Sequence, residues 1–488
     1  MAALTLNKPV CTQLDRHTDL LSMGGRPPAS AAFQVSWDDK SGKISTLNMT
    51  VTVDGGGPGG RGPGCTCIGA YTIPAKLNSQ SISTDTPPNG IMRAPGDFQG
   101  MVFTEAAVEA AITAGSFDEF ALKNANLGAD VQPVWTELDT KMGGYSARKA
   151  AVEEFNKQNR WRKRGIWSIP VKYGRGNGER EMVILEIAEA TGVVTVSASG
   201  IEMGQGLNTK VAQAVSLGLG KLSSSITVPL SMIKNTGIKG TASFPEASGT
   251  SGSGTSESCC DAALKACAVV VKQLAPYAKP GLDWTGVVHA AAAAGVKLSA
   301  QVEGKHLSGG EYYIYAAGAT EVELDVLTGE YHILRTDIVY DSGISLNPAL
   351  DIGQVEGCYV MAAGMCLTEY QLHSKLDGRL IGAGTWDFKP PCSLDIPLEF
   401  NVWFTETANT APGNVLGSKC ATEPAMPLGA GAFFALKQAI YAAREDATGK
   451  PREYFSMPLP ATPAHIQPLC LVDLGKAPQC ESQLTALV

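Results

Sequence analysis

Glu202-Met-Gly-Gln-Gly-Leu-Asn-Thr-Lys210 is the stretch from which the organisation of the chain can be read. Ahead of it, Val193 to Ser197 reads as a strand; behind it, Asn208 to Leu219 carries a helical pattern with Asn208 placed to cap it. The glycines between supply the backbone freedom of a tight turn. Such a junction leaves unpaired N–H groups at the helix start, where the helix dipole favours an anion. Three further segments share this character: Ser248-Gly-Thr-Ser-Gly-Ser-Gly-Thr-Ser-Glu257, Asp351-Ile-Gly-Gln-Val-Glu-Gly357 and Ala421-Thr-Glu-Pro-Ala-Met-Pro-Leu-Gly-Ala430. One alone reads as a turn, but together they point to one large, flat, polar ligand touched from several sides. None fits GxxxxGK[ST] or a GxGxxG after a strand, which argues against a phosphate loop and a dinucleotide fold.

Outward from these segments the chain alternates strands and helices. Ala32 to Trp37 and Ile44 to Val53 form a hairpin around the turn at 39 to 42. Gly55 to Gly64 is a Gly-Pro loop. Phe98 to Ile112 is expected as a half-buried helix with Val102, Ala106 and Ala110 on one side and Glu105 and Glu109 as its charges. Residues 113 to 170 turn polar, helical and then basic, marking a boundary, with a second unit starting near residue 170. Glu321 to Asp325 and Tyr331 to Val339 make a second hairpin, Asn347 caps a helix to about Tyr370, and Phe433 to Arg444 is a helix after a Gly-rich turn.

A length of 488 residues suggests two to four packed units. The net charge of −8 argues against nucleic acid, which is bound through clustered Lys and Arg. The run Arg162-Lys163-Arg164 is expected as a solvated face. With no long apolar run and no signal-peptide order in Met1 to Val10, the expectation is a soluble, cytoplasmic chain with no membrane partner. Cys65 and Cys67 are too close for an ordinary iron–sulfur or zinc pattern, and Cys259-Cys260 reads as helix packing.

Three side chains in the Gly-rich segments could do chemistry. Gln205 and Gln354 sit beside glycines, where an amide can donate and accept at once; capping a turn explains each of them as well. Glu423, followed by Met426, Pro427 and Leu428, is expected in an apolar surround that poises it as a general base; an ordinary loop glutamate in water is the alternative.

Met203-Gly-Gln-Gly206, Ser342 through Gly357, Thr422-Glu-Pro424 and Ile91-Met-Arg-Ala-Pro-Gly96 resemble the molybdopterin-domain signatures of the xanthine dehydrogenase and aldehyde oxidase family. Leu14-Asp-Arg16, Met23-Gly-Gly-Arg26, Trp161 to Gly165 and Pro460-Ala-Thr-Pro463 extend the resemblance in order over nearly the whole chain. It implies an α+β, two-lobed molybdenum-cofactor-binding architecture with mixed sheets and flanking helices. Residues 1–148 would be the C-terminal half of the first lobe, and 149–488 the second lobe with a C-terminal tail. By the same resemblance Gly204, Gln205, Gly206, Gly252, Ser253, Thr255 and Gln354 hold a molybdenum-molybdopterin, the main chain of Arg93 and Gly252 lies next to the metal, and Glu423 is the base in hydroxylation of an sp² carbon of a purine or aldehyde.

The sequence departs from the family pattern in ways that bear on function. It begins just after the family's first Gly-rich loop. The [2Fe–2S] and FAD domains that take electrons from the metal, and the homodimer common in the family, are therefore expected only of a longer protein. The Gly55 to Gly64 tract replaces a helical segment with a substrate-contacting Arg, leaving Arg61 nearby; Ala94-Pro95 lacks the aromatic of xanthine-oxidising members; Thr422 stands where Gly is usual. The substrate expectation leans to aldehydes. A truncated non-catalytic paralogue or incomplete gene model is the other reading, and a module that keeps the cleft for another anionic ligand is a third.

Overall fold

Side chains that alternate between inside and outside from residue 29 to 54 build the first sheet. β1 (Ala29–Trp37) pairs antiparallel with β2 (Ile44–Asp54), and β3 (Ala75–Ile82) joins β2 in parallel. β2 buries Leu47, Met49, Val51 and Val53, its alternate residues, as the sequence pattern requires. The computed structural model describes residues 1–58, 60, 62–175, 180–237, 244, 249–250, 252–305, 311–407 and 414–472.

Helices Glu119–Asn126, Gln132–Lys141 and Tyr145–Gln158 lead into β4 (Arg162–Arg175), the edge of a sheet ordered β11-β10-β9-β4 with β9 (Tyr312–Asp325), β10 (Tyr331–Tyr340) and β11 (Glu399–Phe404). Helix Met426–Thr448 packs across β4 and β9 and against helix Pro348–Leu367. A third sheet, ordered β7-β6-β5-β8, contains β5 (Arg180–Ile187), β6 (Val194–Ala198), β7 (Ile233–Asn235) and β8 (Ser299–Lys305), and packs with helices Leu207–Gly220 and Thr255–Leu274.

Two apolar cores result. One joins residues 44–173 to 312–470, and the other gathers residues 183–300 with Val415. The chain leaves the first core after β4, builds the second, and returns through β9, which pairs with β4 along its whole length. The composition shift near residue 170 marks the departure. The return leaves no comparable signal.

Four local expectations need correction. In helix Asp97–Gly115, Glu105 and Glu109 face inward: Glu109 accepts from Lys437 Nζ and Tyr441 Oη, both at 2.7 Å, while Glu105 accepts from Tyr71 Oη (2.7 Å) and Trp167 Nε1 (2.8 Å) and pairs with Lys123. The helix lies between β1 and helix Met426–Thr448, so buried partners take the place of water on its charged side. Within the basic run, Lys163 is fully buried and bonds Asp446 and the Asn156 carbonyl, so the solvated-face expectation fails there; Arg162 stays exposed and Arg164 half-exposed, and both pair across the strands with Glu323 on β9. Gly429 and Gly431 belong to helix Met426–Thr448 and not to a turn, because a side chain at Gly429 would meet the Ala362 Cβ at 2.6 Å across the helix crossing.

The fourth correction concerns the stretch after β6. Helix Leu207–Gly220 starts one residue earlier than expected, with Gly206 (φ 81°) at its cap. Asn208 is not the cap. The Glu202 carboxylate fills the N–H nest instead, with Oε1 accepting from Gly204 and Gly206 and Oε2 from Asn208, each at 2.9 Å. Its slight burial works to raise the carboxyl, yet the N–H groups of Asn208, Gly206 and Gly204 outweigh that and hold it below the ordinary glutamate value.

Two outcomes follow. Glu109→Leu strands the Lys437 ammonium in the core and should lower unfolding free energy by about 3–5 kcal/mol in urea titrations, whereas Glu154→Ala, at an exposed pair with Lys157, should cost no more than about 1 kcal/mol. Because the Glu202 pKa is depressed on folding, its contribution is present above the unfolded-state value near 4.5 and is lost as pH falls through the folded value. Thermal unfolding of Glu202→Gln should therefore show a smaller loss of stability than wild type on acidification through that window; equal losses would contradict the nest.

Candidate functional site

The first turns of helices Asp97–Gly115, Leu207–Gly220, Thr255–Leu274 and Pro348–Leu367, together with the end of β4 and residues 418–423, wall one cavity of about 740 Å³. Helix starts carry partial positive charge; that of Leu207–Gly220 is already met by Glu202, and the convergence of the others suits an anionic ligand. The volume lies within the range of small-molecule and cofactor sites, ~300–1,000 Å³.

Glu423 reaches this cavity from a segment fixed on both sides. The Cys420 N–H donates to Tyr312 Oη (3.1 Å) and its carbonyl accepts from Tyr340 Oη (3.0 Å). Lys419 Nζ bonds the Tyr313 carbonyl (2.8 Å) and Asp341 (2.6 Å), an ion pair 1% exposed on both sides. Burial raises the Asp341 carboxyl and lowers the Lys419 ammonium, so hydrogen bonds rather than bare charge hold this pair. Glu423 itself is 8% exposed, and Tyr173 Oη donates to its Oε2 at 2.8 Å. Its surround is thus not simply apolar, as the sequence led us to expect, because β4 ends beside it and supplies a phenol. Thr422 does not crowd the turn: its φ of −97° is open to any side chain, and its Oγ1 donates to Gln354 Oε1 at 3.2 Å.

The sequence-derived site residues fall as follows. Arg93, Gln205, Gly252, Ser253, Thr255, Gln354 and Glu423 all line the cavity. Gly204 and Gly206 shape the turn behind Met203 and Gln205, with φ of 95° and 81°. The Gln205 amide is folded onto its own loop, accepting from Met203 N–H and donating to the Ile201 carbonyl, as the capping alternative held. Gly252 and Ser253 both have positive φ; a Cβ at Gly252 would lie 2.5 Å from the Arg175 Cζ, so the guanidinium packs flat on that backbone. Arg93 offers its carbonyl to Arg26 Nη2 at 2.6 Å, and Ala94, also at positive φ (51°), is buried. Ser248, Ser251 and Arg61 lie outside the described residues.

Several wall residues escaped the sequence reading. Lys210 pairs with Asp351 at 2.5 Å, tying the 203–210 loop to the helix that carries Gln354; both lay inside quoted motifs as unremarked charges. Asp97, Tyr173, Arg175 and Glu257 also line the wall. A phenol and a guanidinium flanking Gly174 at the end of an apolar strand were the available signal. With Arg175, Lys210 and Lys419 as cations, and Ser253, Thr255 and the Gln354 amide as hydrogen-bonding groups, the wall fits a phosphate-bearing pterin. Among the described residues, no helix is long and apolar enough to cross a membrane.

Comparison with known proteins bears on the same residues. The chain matches the molybdopterin cofactor-binding domain twice, over residues 1–127 and 140–397. It is 34% identical over 519 residues to an indole-3-acetaldehyde oxidase of Zea mays and 35% identical over 512 residues to probable aldehyde oxidase 2 of Oryza sativa subsp. japonica. Each alignment takes in 97% of this chain but 37% of the relative, so the chain spans little more than a third of their length. Its fold is similar to quinoline 2-oxidoreductase from Pseudomonas putida 86 (TM-score 0.78, 19% identity, 96% of this chain and 65% of that one). It is also similar to the aldehyde oxidoreductase from Desulfovibrio desulfuricans (TM-score 0.75, 19% identity, 96% and 52%). These two likenesses are of fold, and they bear out the α+β architecture with mixed sheets and flanking helices. The domain matches and the similarity along nearly the whole sequence together establish that the chain belongs to the molybdopterin cofactor-binding domain family of the xanthine dehydrogenase and aldehyde oxidase type.

Proposed function

We propose that this chain forms the molybdenum-cofactor site of a hydroxylase acting on aldehydes, with Glu423 as its general base. The observation that carries the reading is that Glu423, Gln354, Gln205, Gly252, Ser253, Thr255 and Arg93, which lie far apart in sequence, border a single cavity. Gln205, with the turn made by Gly204 and Gly206, and Gln354 would hold the pterin from two sides, and Gly252, Ser253 and Thr255 would hold its other edge. Arg175 and Lys210 would face its phosphate, and the main chain of Arg93 and Gly252 would lie beside the metal. Among the described residues no three His, Cys, Asp or Glu side chains gather as metal ligands, so a metal here would keep the cofactor's own ligands.

When bound, the cofactor supplies the redox chemistry of adding oxygen to an electron-poor carbon. The protein's part is to bind, orient and move a proton. Tyr173 holds Glu423 Oε2, while Oε1 accepts no hydrogen bond among the described residues, which leaves it to take the proton at the cavity. The aldehyde preference rests on the relatives named as aldehyde oxidases and on Pro95, which lines the wall where an aromatic would suit a purine. Electrons would pass to iron–sulfur and flavin domains outside this chain.

Glu423→Gln keeps the shape of the side chain but not its basicity. Metal analysis and pterin fluorescence of the purified variant should match wild type, while aldehyde turnover falls by about 10²–10⁴-fold or more. Undiminished turnover would remove Glu423 from the role.

A further inference from the structure

Ala94 is fully buried, and its φ of 51° lies in the left-handed region that a side chain disfavours. An outlier of this kind persists where its surroundings over-determine it, and such residues gather at sites that bind or react. What holds the turn is Arg26. Its Nη2 donates to the Arg93 carbonyl at 2.6 Å, and its guanidinium lies 5.4 Å from the centre of the Phe98 ring. Nε and Nη1 are buried and donate to no group among the described residues. A cation so placed is unfavourable, since it loses water and two of its donors gain nothing in return. The one hydrogen bond it makes among the described residues is to this peptide unit.

The peptide between Arg93 and Ala94 is trans, so its C=O and N–H point to opposite sides of the chain. With the carbonyl turned to Arg26, the Ala94 N–H faces away from it. Arg93 and Pro95, on either side, both border the cavity, and Arg26 is not one of the described residues that do. The Ala94 N–H has no acceptor among the described residues. Buried N–H groups without a partner are rare in folded proteins. The neighbouring positions do not share this state: Pro95 has no N–H, and that of Gly96 donates to Gln99 Oε1 at 3.2 Å. One donor in this turn is thus left open, and its direction is fixed from behind.

We infer that the Ala94 N–H binds the carbonyl oxygen of the aldehyde and that Arg26 is the positioning residue that aims it. The inference rests on the functional reading above, in which the Arg93 main chain lies beside the metal and Pro95 borders the substrate; Ala94 stands between the two. A carbonyl oxygen gains negative charge as its carbon is attacked, and a donor already in place stabilises that charge without reorganising. The segments that carry Glu423 and Ala94 meet at one cavity, so the base and this donor would act on the same substrate.

Arg93-Ala94 is the one Arg-Ala pair in the sequence, so protein made with ¹³C-carbonyl arginine and ¹⁵N-alanine gives a single amide signal in a carbonyl-filtered NMR spectrum. Cofactor-loaded Glu423→Gln protein is titrated with benzaldehyde, and binding is followed in parallel by calorimetry. The expected result is a downfield proton shift of that signal, lost when Arg26→Met is added. A signal that stays in place while calorimetry records binding would overturn the inference. Absence of any binding would instead strike the aldehyde reading, and the inference would fall with it. Steady-state rates with the loaded protein test the role of Arg26. Arg26→Met should lower kcat about tenfold while KM changes far less, the mark of an interaction made chiefly in the transition state. Arg26→Lys, which keeps a donor for the Arg93 carbonyl, should recover most of that loss. An unchanged kcat in Arg26→Met would overturn the positioning role, and if that variant does not fold, the NMR titration with Arg26 in place still decides whether Ala94 is the donor.

Discussion

The peptide unit of Cys420 is gripped from both sides by buried phenols, its N–H by Tyr312 and its carbonyl by Tyr340. These phenols sit at the start of β9 and the end of β10, neighbouring strands of one sheet. The segment that delivers Glu423 is therefore referenced to two paired strands and not to a free loop. Tyr312 also bonds Glu257 at 2.9 Å, which ties the start of helix Thr255–Leu274 to the same strand. A wall element from the second core and the segment that carries Glu423 thus share one anchor. Preorganisation of this kind is what a base and a cofactor cradle require, since small misplacements are costly in rate.

Charge is handled differently at the wall and behind it. Behind the wall, Glu105 and Glu109 accept several donors each, and Lys123 and Lys437 lie against the rings of Trp167 and Tyr454 as well as against carboxylates. Such pairs add little net stability relative to apolar packing, but losing one partner leaves a stranded charge, so they hold the helix Asp97–Gly115 in one register. At the wall, Lys210, Arg175 and Lys419 keep ion-pair or packing partners within the protein while lining the cavity. The Glu202 carboxylate occupies the N–H nest that the sequence offered to a ligand. The 203–206 loop is thereby set before any ligand arrives.

How far the sequence could be read depended on the range of the interaction. Hairpins at 29–54 and 312–340 and the Asn347-capped helix follow from alternation, turn residues and capping, all local. The glycine motifs were legible because backbone near a ligand must do without side chains. What stayed hidden was decided across the chain. Lys163 reads as a surface base until Asp446 is brought beside it. Gly429 reads as a turn until Ala362 packs against it. Asp97 and Tyr173 are unremarkable until β4 ends beside both the helix start and Glu423.

The central claim is that loops from both cores hold one pterin beside Glu423. Its most direct test is a crystal structure of the cofactor-loaded protein, with the metal located from its anomalous scattering. The account predicts one molybdenum peak inside the cavity walled by Gln205, Ser253, Gln354 and Glu423, with the pterin running toward Lys210 and Arg175. A peak in another part of the molecule, or a pterin that bypasses this wall, would contradict it.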